Sequence, residues 1–154
     1  MNFITKLIGT FGYTGFFPIA PATFASLVFL ILYGVLPGGE VLAHPLVALL
    51  VLVVSIPIAT RLEKLYGHDA GHIVIDEVVG LQVVLVWAHP TTLGLVLVFF
   101  LFRIFDIIKP YPVGRAQKLP TGLGVVTDDF LAGLYTRIVL LVIAFLYPGI
   151  GSFL

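Results

Sequence analysis

The chain has 154 residues, 60% hydrophobic and only 10% charged, and its eight basic and eight acidic side chains cancel. A water-soluble domain of this size cannot hide so much apolar surface, and zero net charge provides no basic field for nucleic acid, so the composition points to lipid as partner. Cysteine is absent, which excludes disulfides, thiolate metal sites and cysteine nucleophiles.

Four charge-free runs, over 7–39, 41–60, 78–102 and 138–154, each have room for a membrane-crossing helix. In chain order, Pro18 and Pro21 punctuate a Gly-rich segment, and an unbroken apolar run over 23–36 then predicts the first helix, stopped by Pro37-Gly38-Gly39. A short loop leads to a second helix over 45–60, antiparallel to the first and ending at Arg61, Glu63 and Lys64. Turn chemistry at Ala88-His89-Pro90-Thr91-Thr92 divides the next stretch into helices over 73–88 and 92–108. Each would be about 23 Å long, short of a hydrocarbon core of roughly 30 Å. Residues 109–127, with Pro110, Pro112, Gly114, Pro120, Gly122 and Gly124, read as a surface loop, and a fifth helix over 128–147 ends at Pro148-Gly149. The expected fold is all-α, one membrane-embedded domain over 1–154 with about five hydrophobic helices, some of them short or partly re-entrant.

Orientation follows from basic residues, which stay on the cytoplasmic side of short loops. With the N-terminus inside, seven of the eight basic residues (Lys6, Arg61, Lys64, Arg103, Lys109, Arg115 and Lys118) fall at or near that side, and the outer loops over 37–44 and 88–92 hold none. Arg137, read as about two turns into the last helix, is the exception and must snorkel or pair with an acid.

The same count puts Asp76 and Glu77 at the start of the third helix, Asp106 at the end of the fourth, and Asp128 and Asp129 at the start of the fifth, all at one level. An intramembrane charge costs about 2.5–3.5 kcal/mol on insertion scales, so clustered acids call for a counter-charge, naturally a divalent metal. Acids also favour helix N-termini, and Thr127 is a plausible N-cap for the Asp128 pair, but Asp106 sits at a C-terminus where a negative charge is unfavourable, although Arg103 at i−3 or Lys109 at i+3 could pair with it. Oxygen ligands suit magnesium, which takes one or two carboxylates together with substrate phosphate oxygens. Lys109 would then stabilise a phosphoryl transition state, and a carboxylate not on the metal would activate water or act as nucleophile. Gly80 and Gly133 each follow an acid at i+4, a spacing that either lets a second backbone approach that acid or reflects ordinary helix packing. His68 and His72 have i, i+4 spacing beside Asp69, but Gly67 and Gly71 argue for a loop, and His44 and His89 read as solvated turn residues.

The segments Ile73-Val74-Ile75-Asp76-Glu77-Val78-Val79-Gly80, Phe102-Arg103-Ile104-Phe105-Asp106 with Lys109-Pro110, and Gly122-Leu123-Gly124 with Asp128-Asp129 and Ala132-Gly133 resemble, in order and spacing, the phosphatidylglycerophosphatase A family. The likeness spans roughly residues 9–135 and takes in Pro18, Ala20-Pro21, Thr23, Ser26 and Asp69, with departures at Ala22 and Ala25, where the family commonly has glycine. It implies a bacterial cytoplasmic (inner) membrane enzyme that removes phosphate from phosphatidylglycerophosphate in phospholipid biosynthesis. By this resemblance Asp76, Glu77, Asp106, Lys109, Asp128 and Asp129 form a catalytic, magnesium-dependent site facing the cytoplasm, with Asp76, Glu77, Asp128 and Asp129 as expected metal ligands. Pro21, Thr23, Ser26, Arg103 and Arg115 are the expected substrate contacts. The stretch 15–26 has the composition of a re-entrant turn whose Thr23 and Ser26 could bond phosphate or glycerol hydroxyls, and capping of the first helix by Thr23 is the alternative. The rival from another class is an ion-coupled transporter with an acidic cation site, against which stands the gathering of acids at one edge and not at the midplane. A CDP-alcohol phosphotransferase is the enzymatic rival, and its Asp-Gly and Ala-Arg spacing is missing here.

Overall fold

The computed structural model describes residues 3–148, and among them it is helical throughout, with no strand. Seven α-helices follow one another: α1 (Phe3–Gly9), α2 (Pro21–Val35), α3 (Pro45–Tyr66), α4 (Ile75–Leu85), α5 (Thr92–Ile108), α6 (Val113–Ala116) and α7 (Gly122–Leu146), with 3-10 turns at Thr14–Phe16 and Gly39–Ala43. Helices thus form at all five places marked by the sequence, but their lengths differ from expectation. Two of them, α3 and α7, are long and apolar enough to cross a membrane.

Helix α3 runs past residue 60 through Arg61, Glu63 and Lys64 to Tyr66. Those side chains are good helix formers, and the helix stops only at Gly67, whose φ of 97° an L-residue rarely adopts. Helix α7 begins six residues earlier than expected, at Gly122, so the acids Asp128 and Asp129 sit in its second turn and Thr127 is no N-cap. The reason is packing: a Cβ at Gly122 would come within 2.5 Å of the Ile56 carbonyl oxygen and 2.7 Å of Ala59 Cβ, so glycine here permits close contact with α3. Gly122 N–H also donates to Thr60 Oγ1 at 3.1 Å. The expected loop over 109–127 therefore shrinks, and α6 fills part of it with Val113 and Ala116 buried.

Helix α2 starts with Pro21 at its first position, where the missing N–H costs nothing. Ala20 precedes it with no side-chain cap, so Thr23 does not cap the helix and lies half-buried in its first turn. The segment before α2 is folded over by stacking of Phe17 on Phe24, ring centroids 3.9 Å apart.

At the centre of the fold lies α4, which meets α2, α3, α5 and α7. Ten of its eleven residues are buried. At about 16 Å it is half the thickness of a hydrocarbon core, so its C-terminal carbonyls end inside the protein and need partners. Val84 O accepts from Arg137 Nη1 at 2.9 Å, and just beyond the helix Ala88 O accepts from Tyr33 Oη at 2.8 Å. Arg137, roughly four turns into α7 and not two, thus bonds a backbone carbonyl and no acid. Gln82 Nε2 in turn donates to Leu42 O at 2.7 Å, tying α4 to the turn before α3.

Helices α4 and α7 touch backbone to backbone. A Cβ at Gly133 would collide with the Gly80 carbonyl oxygen, and one at Gly80 would lie 2.8 Å from the Asp129 carbonyl oxygen. The i+4 glycines thus let α4 and α7 meet backbone to backbone one turn beyond Asp76 and Asp129, a close approach that helix packing itself supplies.

Candidate active site

Three helices deliver the acids. Asp76 and Glu77 lie in the first turn of α4, Asp106 in the last turn of α5, and Asp128 and Asp129 in the second turn of α7. Asp76, Glu77, Asp128 and Asp129 are each less than a tenth exposed. Lys109 follows α5 as its C-cap in a left-handed conformation, φ 46°, which turns the chain out of the helix while keeping the ammonium beside the acids.

These groups form a connected network. Ser26 Oγ, from α2, donates to Glu77 Oε2 at 2.6 Å. Arg103 Nη1 donates to both Glu77 oxygens, at 2.7 and 2.8 Å, and stands 3.0 Å from Asp106 Oδ2. Lys109 Nζ is 3.7 Å from Asp106 Oδ1 and donates to Asp128 Oδ2. Burial by itself would lower the pKa of Lys109, but its hydrogen bond to Asp128 and the charges of Asp128, Asp106 and Asp129 outweigh it, and the ammonium is held above the usual lysine range. Lys109 is therefore a fixed cation at neutral pH.

The N–H groups of Glu77 and Asp129 donate to Asp76 Oδ1 and Asp128 Oδ1, each at 3.0 Å. Asp129 Oδ2 is buried and has no hydrogen-bond partner among the described residues. Five carboxylates against Arg103 and Lys109 leave three negative charges without a protein cation if all are ionised, a state that a buried site tolerates only with a bound cation or with protons.

One oxygen from each of Asp106, Asp128 and Asp129 lies within 4.8 Å of the other two, close enough to share one ion. The donors are all carboxylate oxygens, the hard ligands that suit magnesium, and Asp129, which has a buried oxygen without a hydrogen-bond partner among the described residues, is in this group. The residues therefore fit a divalent cation. Within this geometry Asp106 joins Asp128 and Asp129, whereas both Glu77 oxygens are engaged by Arg103 and one of them also by Ser26. Asp106 was expected among the catalytic residues but not among the ligands; the signal for it is an acid at a helix C-terminus, where the macrodipole opposes it.

The expected substrate contacts separate into two groups. Ser26 and Arg103 are in the network, and Arg103 is held by two acids before any substrate arrives. Arg115 is exposed and lies over the Tyr111 ring at 5.1 Å, and Thr23 has no side-chain partner among the described residues. Pro21 opens α2. Gln117, which the sequence did not single out, donates to Asp69 Oδ2 and so anchors the loop that leads into α4. The histidines are outside the cluster: His68 Nδ1 lies 2.5 Å from Glu63 Oε1, His72 Nδ1 lies 2.9 Å from Gly15 O and its ring stacks on Phe16, His44 caps α3 by accepting from Leu46 N–H, and His89 is exposed.

Comparison with known proteins places these residues in context. A protein-family model described as phosphatidylglycerophosphatase A matches residues 7–144, which include every acid of the network. A Bacteroides thetaiotaomicron protein named "Putative phosphatidylinositol-3-phosphatase" is 37% identical over 150 residues, covering 92% of this chain and 94% of its own. Phosphatidylglycerophosphatase A of Escherichia coli is 30% identical over 139 residues, 88% of this chain and 80% of its own, and that of Haemophilus influenzae is 42% identical over 80 residues, about half of each chain. No solved structure matches. The resemblance carried by the acidic motifs is borne out, and the chain is a phosphatase belonging to the phosphatidylglycerophosphatase A family.

Proposed function

We propose that this protein is a magnesium-dependent lipid phosphatase that hydrolyses phosphatidylglycerophosphate to phosphatidylglycerol and phosphate, embedded in the bacterial cytoplasmic membrane by several helices with its acidic site on the cytoplasmic side. The observation that carries the reading is the convergence of one carboxylate oxygen each from Asp106, Asp128 and Asp129, with Asp129 Oδ2 buried and unpartnered among the described residues. A membrane location is supported by α3 and α7 and by apolar side chains left outside the core, among them Leu46, Leu50 and Val53 on α3 and Ile138, Leu141 and Phe145 on α7. The basic residues grouped at the loops beside the acids support the cytoplasmic orientation.

Asp106, Asp128 and Asp129 would hold the magnesium ion, which when bound supplies the positive charge that lets a phosphate monoester approach so many carboxylates. Arg103 and Lys109 are held against the acids by three carboxylates, which fixes two cations where charge on the phosphoryl oxygens must be stabilised. Asp76, whose carboxylate accepts only from the Glu77 N–H among the described residues, is available to orient water and accept its proton. The water oxygen bonds to phosphorus as the bond from phosphorus to the glycerol oxygen breaks; that oxygen takes a proton from solvent and leaves as an alcohol, and Asp76 gives the proton it accepted back to solvent.

The test is phosphate release from phosphatidylglycerophosphate by purified protein in detergent, with magnesium and with excess EDTA. Release that stops in EDTA and returns with added magnesium is expected, and release indifferent to EDTA would overturn the metal assignment. The Bacteroides relative, similar over nearly its whole length, favours phosphatidylinositol 3-phosphate as a second substrate to assay in parallel. Hydrolysis of that lipid alone would move the substrate and keep the site.

A further inference from the structure

An apolar groove of about 380 Å³ runs between α2 and α5. Its position follows from helix periodicity. Residues four apart share a face, so Leu30 and Gly34 continue the face of α2 that carries Ser26, and Phe99 and Leu95 continue the face of α5 that carries Arg103. Ser26 and Arg103 meet on the Glu77 carboxylate. Two strips therefore begin together at the acidic network, and their continuations line the groove from Leu30 and Phe99 towards the opposite ends of their helices, with Gly34 about 12 Å along α2 from Ser26.

The groove has no charged lining residue, and its outer rim at Ile31, Val35 and Phe100 is exposed. Its depth depends on Gly34, where a Cβ would come within 2.8 Å of Leu95 Cδ1. We propose that the groove holds one acyl chain of the lipid whose phosphate monoester is bound at the acidic network, and that it selects long-chain over short-chain or water-soluble phosphate esters. This rests on the lipid phosphatase reading above. The occupant is argued from continuity: a phosphate near Arg103 puts the attached glycerol and chains beside Ser26 and Leu30, at the groove's inner end. An apolar chain leaving that point finds the groove as its apolar continuation.

The variant Gly34→Leu fills the groove with a good helix former, and its Cβ meets only the flexible tip of Leu95. In mixed micelles at fixed lipid mole fraction, it should raise KM for dipalmitoyl phosphatidylglycerophosphate roughly tenfold, the loss expected from shedding a couple of methylene contacts. The KM for the dihexanoyl lipid and kcat for both should stay as in the wild type. Equal effects on both lipids, or none, would overturn the proposal. A second readout is independent of turnover. Phosphatidic acid with a mid-chain diazirine should label residues 27–35 and 92–100 in the wild type and in Asp129→Asn, and lose that labelling in Gly34→Leu. Labelling spread over α3, or photocrosslinks between two copies of the chain at this groove, would overturn it. Groove labelling without phosphate release from either lipid would sustain the groove and refute phosphatidylglycerophosphate as the substrate.

Discussion

The contact between Gly80 and Gly133 makes the sharpest prediction. A methyl group at Gly133 would stand 3.0 Å from the Gly80 carbonyl carbon and 3.2 Å from its Cα, and closer still to the carbonyl oxygen. Ordinary carbon contacts lie at about 3.5–4.0 Å, so in Gly133→Ala the two helices must part by roughly 0.5–1 Å, because the obstructing atoms are backbone and have no rotamer to change. Overpacking of this kind costs about 1–3 kcal/mol, while replacing a mid-helix glycine by alanine returns about 1 kcal/mol. The net loss of stability should be no more than about 2 kcal/mol by these figures, leaving a folded protein. Activity should suffer far more. Asp129 lies one turn before Gly133 and Asp76 one turn before Gly80, so the parting of the helices is carried straight to the acids. A misplacement of about 1 Å at reacting groups can cost on the order of 10²-fold in rate. The measurement is kcat for phosphate release by purified Gly133→Ala beside its thermal unfolding in the same detergent. Gly71→Ala, where the added Cβ meets only Pro21 Cγ at 3.7 Å, serves as the tolerated control. Wild-type kcat in a folded Gly133→Ala would refute the claim that this backbone contact sets the spacing of the acids.

Three further outcomes follow from the network. Arg103→Met should destabilise the protein by about 3–5 kcal/mol, because it leaves the buried Glu77 without its cation, and Arg103→Met with Glu77→Gln should recover much of the melting temperature but not the activity. Asp129→Asn should lower phosphate release by at least about 10²-fold while the melting temperature without magnesium is unchanged or higher, since it removes one of several mutually repelling buried charges. Arg137→Met should cost about 1.5–3 kcal/mol in thermal unfolding by orphaning the Val84 carbonyl, with kcat of the folded fraction unaltered; an unchanged melting temperature would show that α4 does not depend on this bond.

The parts of this fold that were legible in the sequence are those governed by exclusion. Charges cannot be scattered through an apolar core, so the charge-free runs marked α2, α3, α5 and α7, and the acids stood out because nothing in a lipid-facing helix explains Asp106. What was not legible depends on which atoms meet. Helix α4 has the same apolar composition as a membrane-crossing helix, and only the neighbours around it make it a short buried hub that needs Arg137 and Tyr33 at its end. Pairing was hidden for a similar reason: Arg103 at i−3 from Asp106 was visible as a local partner, but its stronger engagement with Glu77 requires α4 and α5 to be side by side. Glycine was the residue most open to two meanings. Gly122 sits after Pro120 and reads as a breaker, yet it starts α7 because only a residue without a side chain fits against α3. Gly80 and Gly133 sit in uninterrupted apolar sequence, where turn chemistry has no place, and their i+4 spacing from acids tied them to the site. A glycine with no proline or polar turn residue beside it, in a helix that also carries a buried charge, is better explained by close approach of a second backbone than by a break. In this protein that approach is what sets the acids of α4 beside those of α7.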